Sequence, residues 1–161
     1  EGQTVAVLDS GIDTNHPDLA GDLVHERCVC NTGPDCCPTG GNSGDGPGSA
    51  EDDNGHGTHV AGIITSSGSV APLGIAPDAG IVAVKVLDQN GSFCCTADIA
   101  AALDWVLNNR PDVDVVNMSL STFDRFSTVH CAQRTPSMIG TPYPGGSIGR
   151  HSRFHCTASS S

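Results

Sequence analysis

The chain has 161 residues, a formal net charge of −11 and 37% hydrophobic residues, enough for one domain around one core. The acidity excludes a basic stripe that could neutralise phosphates, and so argues against nucleic acid and against an anionic membrane surface as partners. No apolar run approaches the roughly 20 residues needed to cross a bilayer, so a soluble monomer is expected.

TVAVLD, residues 4–9, reads as a buried strand. It ends in Asp9, just before Ser10-Gly11, where the plain reading is a turn residue. Residues 25–53 concentrate Cys, Gly and Pro and read as one long loop. A helix is expected from about His56 to Ser66, with Val60, Ile63 and Ile64 along its apolar side. IVAVKVL, residues 81–87, is a second buried strand. Thr96 is expected to cap a helix that runs to about Asn108, with Asp98 favouring the positive end. Its core face is Ile99, Leu103, Val106 and Leu107, and Pro111 follows its end. Residues 113–120, VDVVNMSL, form a third strand. Alternating strands and helices imply an α/β fold, a parallel sheet flanked by helices with right-handed crossovers.

The composition changes near Thr122. Residues 1–122 carry three basic and 17 acidic residues, whereas residues 123–161 carry four basic and one acidic. In that tail Gly, Pro, Ser and Thr fill 18 of 39 positions, too little apolar material to offset its ordering entropy. The expectation over 1–122 is the truncated N-terminal part of a domain, poorly folded and prone to aggregate because truncation leaves an exposed sheet edge and half a core. The tail over 123–161 is expected to be loop-rich or disordered, or else pinned by Cys131 and Cys156. The abruptness of the break points to a changed reading frame or a truncated gene.

Eight cysteines suggest a disulfide framework in an oxidising, secreted or extracellular setting. Residue 1 leads straight into a strand, so any signal peptide is expected to have been removed or to lie in a missing gene start. Cys28, Cys30, Cys36 and Cys37 can also be read as zinc ligands, although C-x-C followed by adjacent cysteines departs from the usual C-x2-C pairs.

The stretch DDNGHGTHVAG, residues 52–62, places two histidines and three glycines where a helix begins. Glycine inside a helix costs about 1 kcal/mol against alanine, so a purely structural helix has little reason to hold them. His56 and His59 could be a metal pair, but no third ligand is evident. An imidazole can act as a general base, and the charge it gains needs a carboxylate. Asp9 ends a strand of a parallel sheet, at the edge where catalytic groups gather, and can supply that carboxylate. Gly55 and Gly57 are read as room for a substrate backbone beside His56.

VAVLDSGIDTNHPDL resembles the aspartate motif of the subtilisin-like serine proteases, and NGHGTHVAGII their histidine motif. GIAPDAGIVAVKVLDQNGS and DVDVVNMSL resemble the segments that follow, so the likeness covers about residues 4–121. The resemblance implies a subtilisin-like fold and a serine endopeptidase acting on protein or peptide substrates, with no cofactor for catalysis. It makes Asp9 the triad aspartate and His56 the general base, with His59 structural on the inner side of the helix. Gly91 and Ser92 correspond to the strand that pairs with the substrate backbone. Ser119, Leu120 and Ser121 correspond to the wall of the substrate side-chain pocket, where the family commonly has glycine at the position of Ser121. Asp18 corresponds to an aspartate that binds a structural calcium ion in some members. The family's GTSMA-type serine motif and its oxyanion asparagine are missing. TPSMIGTP places Ser137 too close after His56 for the intervening elements, and its likeness is read as chance. The chain as given is therefore expected to be inactive. The alternatives are a non-catalytic peptide-binding pseudoprotease and a Cys-rich metal-binding module.

Overall fold

The apolar strand at residues 4–9 becomes the pivot of a five-stranded sheet. In the computed structural model, which describes residues 2–121, it is β1, Thr4–Asp9. There follow β2, Leu23–Val29; β3, Ser43–Asp45; α1, His56–Thr65; β4, Gly80–Lys85; α2, Thr96–Asn109; and β5, Val115–Asn117. The sheet order is β3-β2-β4-β1-β5. β1 lies parallel to β4 and β5, and β2 is parallel to β4. β3 alone runs antiparallel, against β2, so the sheet is mixed at that edge rather than wholly parallel.

Side chains alternate across a strand, and the two faces of this sheet are covered by different helices. Val5 and Val7 of β1, with Ile81 and Ala83 of β4, pack with Ala61, Val60 and Ile64 of α1. Ala6, Leu8, Val82 and Val84 pack on the other face with Ala102 and Val106 of α2. Burying these apolar residues is the main favourable term holding the layers together.

Several expectations need correction. Residues 25–53 are not one loop, because β2 and β3 lie within them. Polar His25, Glu26 and Arg27 interrupt the apolar pattern of β2, yet Glu26 is buried and its carboxylate accepts the Ala50 N–H at 3.2 Å. The face of α1 is set by small residues: Gly57, Ala61 and Thr65 are buried, while Ile63 is 68% exposed. In α2, Ala102 and Val106 are buried, whereas Leu107 is exposed. Small side chains let each helix lie close to the sheet, which turns the bulky ones outward. Thr96 is the first residue of α2 and not its cap, since Cys95 takes that place without a side-chain hydrogen bond. The third strand is shorter than 113–120.

The compact unit ends at Leu120. The tail expected over 123–161 lies outside the described residues, as do Cys131, Ser137 and Cys156. No helix among the described residues is long and apolar enough to cross a membrane.

Candidate active site

The carboxyl ends of the parallel strands share one edge, and the candidate site is built there. β1 delivers Asp9, and period-two alternation from Val5 and Val7 sends its side chain to the α1 face. The side chain is fully buried. α1 starts at His56 on that same face, and Nδ1 of His56 lies 2.7 Å from Oδ1 of Asp9. The Ser10 N–H also donates to Oδ1, at 2.7 Å, while Oδ2 has no hydrogen-bond partner among the described residues. The imidazole is half exposed, so one ring nitrogen is tied to a buried carboxylate while the ring remains open to solvent.

The start of α1 is fixed by groups that the sequence reading missed. The Asp52 carboxylate accepts the N–H groups of Asn54, Gly55 and Thr58, at 3.0, 2.9 and 3.0 Å, and the Thr58 hydroxyl. It also accepts the Ser10 hydroxyl at 2.8 Å, and Ser10 Oγ in turn accepts the Gly57 N–H at 2.9 Å. These bonds satisfy N–H groups that the helix itself leaves unpaired. Burial raises the pKa of Asp52, but the bonds from Thr58, Gly55, Asn54 and Ser10 outweigh it and hold the carboxyl below its ordinary value. The network therefore ties the end of β1 and the start of α1, where His56 sits, to one carboxylate.

The glycines have particular reasons. Gly55 sits at φ 97°, in the left-handed region that suits glycine. Gly57 packs directly on the backbone of the β1 end, where a Cβ would collide with the Gly11 carbonyl oxygen. Its space is filled by the protein's own backbone, not kept for a substrate. His59 is exposed rather than turned inward.

Lys85 was also missed. It ends β4, is fully buried, and donates to the Ser10 carbonyl at 2.7 Å and to Asp53 at 2.6 Å. The signal was a single lysine inside IVAVKVL.

Gly91 and Ser92 lie in a turn that follows β4, not in a strand. The Ser92 carbonyl accepts the Asp88 N–H, and the Ser92 N–H donates to the Asp88 carboxylate, at 2.9 and 3.0 Å. Asn54 Nδ2 donates to the Gln89 carbonyl at 3.0 Å, which brings this turn against the residues leading into His56. Ser119, Leu120 and Ser121 follow β5, at the same edge as Asp9 because β5 is parallel to β1. Leu120 packs on the α2-side core, Ser119 donates to Asn117 at 3.0 Å, and Ser121 is exposed.

Asp18 is away from this edge and buried. Its carboxylate accepts the N–H groups of Ser69, Val70 and Ala71 and the hydroxyls of Ser66 and Ser67. Burial raises its pKa, but the bonds from Ala71, Ser67, Val70 and Ser69 prevail and hold it far below the usual carboxylate range. Calcium takes six to eight oxygen ligands. Here both carboxylate oxygens are met by donors, so the arrangement anchors the 66–71 loop and does not fit a calcium ion.

Cys28 pairs with Cys37 and Cys30 with Cys36, so the four cysteines weighed as zinc ligands form two bridges across the loop after β2. Cys94 pairs with Cys95.

Comparison with known proteins agrees with this architecture. The chain is 38% identical over 152 residues to the thermostable alkaline protease of Halalkalibacterium halodurans, covering 92% of this chain and 37% of that protein. It is 40% identical over 117 residues to subtilisin E of Bacillus subtilis, covering 72% of this chain and 26% of that protein. Among solved structures, sphericase superposes with a TM-score of 0.58 at 37% identity, over 79% of this chain and 39% of that one. A cold-adapted subtilisin-like serine proteinase gives a TM-score of 0.55 at 33% identity, over 74% and 37% of the two chains. The chain thus spans between about a quarter and two fifths of the length of these relatives. The model of the Subtilase family (Peptidase_S8) matches residues 1–150, and the chain belongs to that family.

Proposed function

We propose that this chain is the N-terminal part of a secreted serine endopeptidase, with Asp9 and His56 as two members of an Asp-His-Ser triad. The observation that carries the reading is the 2.7 Å bond between a fully buried Asp9 and a half-exposed His56. With Nδ1 held by Asp9, Nε2 would take the proton of an attacking serine hydroxyl and return it to the leaving amine. Asp9 would orient the ring and stabilise the charge it gains during the reaction.

No hydroxyl among the described residues bonds to His56 Nε2, and no oxyanion-binding side chain is assigned there. On this reading the chain lacks the nucleophile and is inactive by itself. A peptide substrate would run along Gly91 and Ser92, with its side chain toward Ser119, Leu120 and Ser121. Pairing at Ser92 would require Asp88 to release the backbone groups it now holds.

Resequencing the coding DNA across the codons for Asn117–Arg125, with all three downstream frames translated, tests this reading. A frame that restores strand–helix alternation and reaches a GTSMA-like serine is the expected result. The absence of a family-like serine downstream in every frame, the present one included, would leave a peptide-binding pseudoprotease instead.

A further inference from the structure

Three disulfides occur among the described residues, and only two have an evident structural purpose. Cys28–Cys37 and Cys30–Cys36 span sequence separations of 9 and 6 and form a buried cluster. Cys94–Cys95 joins neighbours. The chain-entropy effect of a bridge shrinks with the loop it closes, and this bridge closes almost none. Breaking it should leave the fold intact.

Both sulfurs face the carboxylate of Asp98 in the first turn of α2. Cys94 Sγ is 3.4 Å from Oδ2, and Cys95 Sγ is 3.7 Å from Oδ1. The three ligand atoms all lie within 4.8 Å of one another. Asp98 is only 4% exposed, and Asn31 fixes it with its backbone N–H at 2.9 Å and its Nδ2 at 2.6 Å. Bonds of this kind orient the carboxylates that ligate metals. Disulfide sulfurs carry no proton and no charge, so in the oxidised chain this buried carboxylate faces two atoms that give it nothing.

We propose that Cys94, Cys95 and Asp98 form a redox-gated site for a thiophilic divalent cation of the zinc class. An external dithiol reduces the bridge: the disulfide takes up two electrons and two protons to give two thiols, and the dithiol becomes a disulfide. The cation then displaces both thiol protons and binds two thiolates and the carboxylate. At zinc–sulfur distances of about 2.3 Å, a tetrahedral ion holds its sulfurs about 3.8 Å apart, a small separation from where they start. Water completes the fourth position. Cys94 is exposed, while Cys28, Cys30 and Cys37 are buried and Cys36 is half-buried, so among the described bridges a limiting reductant reaches the vicinal one first. The site is independent of the protease reading.

The test uses the full 161-residue chain, treated without oxygen with limiting dithiol, desalted, and titrated with Co²⁺. The reduced chain should bind one equivalent with sulfur-to-cobalt charge-transfer absorption, and the oxidised chain none. A Cys94→Ser/Cys95→Ser variant should lose the absorption, and Asp98→Asn should bind at least about tenfold more weakly. Circular dichroism verifies that each variant is folded. The proposal is overturned if the reduced chain gives no such absorption, or if the double-serine variant binds Co²⁺ as tightly as the parent. Unchanged affinity in Asp98→Asn would remove the carboxylate and overturn the three-ligand site.

Discussion

Asp9 and Lys85 are register partners on adjacent parallel strands, and both side chains leave the sheet toward α1. Lys85 bonds the carbonyl of Ser10, the residue after Asp9, and the carboxylate of Asp53, which lies shortly before His56 in the chain. Replacing it with an apolar residue strands a buried carbonyl. Lys85→Met is expected to cost about 2 kcal/mol in urea unfolding. A loss below about 0.5 kcal/mol would mean that these bonds contribute nothing net.

Two glycines of α1 should respond with opposite signs. A Cβ at Gly57 collides with the Gly11 carbonyl, whereas one at Gly62 meets nothing within 4 Å. Gly57→Ala should destabilise by about 2 kcal/mol or more through overpacking. Gly62→Ala should stabilise by about 0.5–1 kcal/mol, because glycine is a poor helix former. Thermal melts of the two variants read the difference directly.

Asp52→Asn tests how the histidine is placed. The amide keeps one acceptor but turns a donor toward the Thr58 N–H and hydroxyl. A loss of about 1–2 kcal/mol is expected, as for a removed helix cap. Amide hydrogen exchange should rise at the start of α1, from Gly55 to Thr58, more than in α2.

Acid should loosen two loops. Asp18 and Asp52 both have folded pKa values below their ordinary 3.8. A depressed folded pKa adds stability that is fully present well above 3.8 and is lost as pH falls below it toward the folded value. Unfolding free energy should therefore drop below about pH 4, and Asp18→Asn should flatten part of that drop. A variant with the same acid slope as the parent would show that Asp18 contributes no such linkage.

Much of this arrangement was legible in the sequence, for physical reasons. β1, β4 and α1 announce themselves because strands buried on both faces are continuous apolar runs and the helix start carries an unusual motif. Asp9 alone reads as a turn residue, and its pairing with His56 was legible only through the resemblance of their two motifs to the family. β2 was hidden because Glu26 is a buried acid that finds an N–H partner 24 residues away, a contact that local pattern does not reveal. Ile63 and Leu107 were misplaced because periodicity favours bulky residues, while the close packing selected Ala61 and Ala102. Asp52 and Lys85 act through partners distant in sequence, so only the folded chain exposes what they do.

The most direct test of the central claim is nitrogen-15 NMR of the His56 imidazole in the intact chain and in Asp9→Ala. The account predicts a far-downfield Nδ1 proton, protected from exchange with water by its bond to Asp9, that disappears in the variant while the rest of the spectrum persists. A His56 signal that is the same in both proteins would contradict the Asp9–His56 pair, and with it the triad reading.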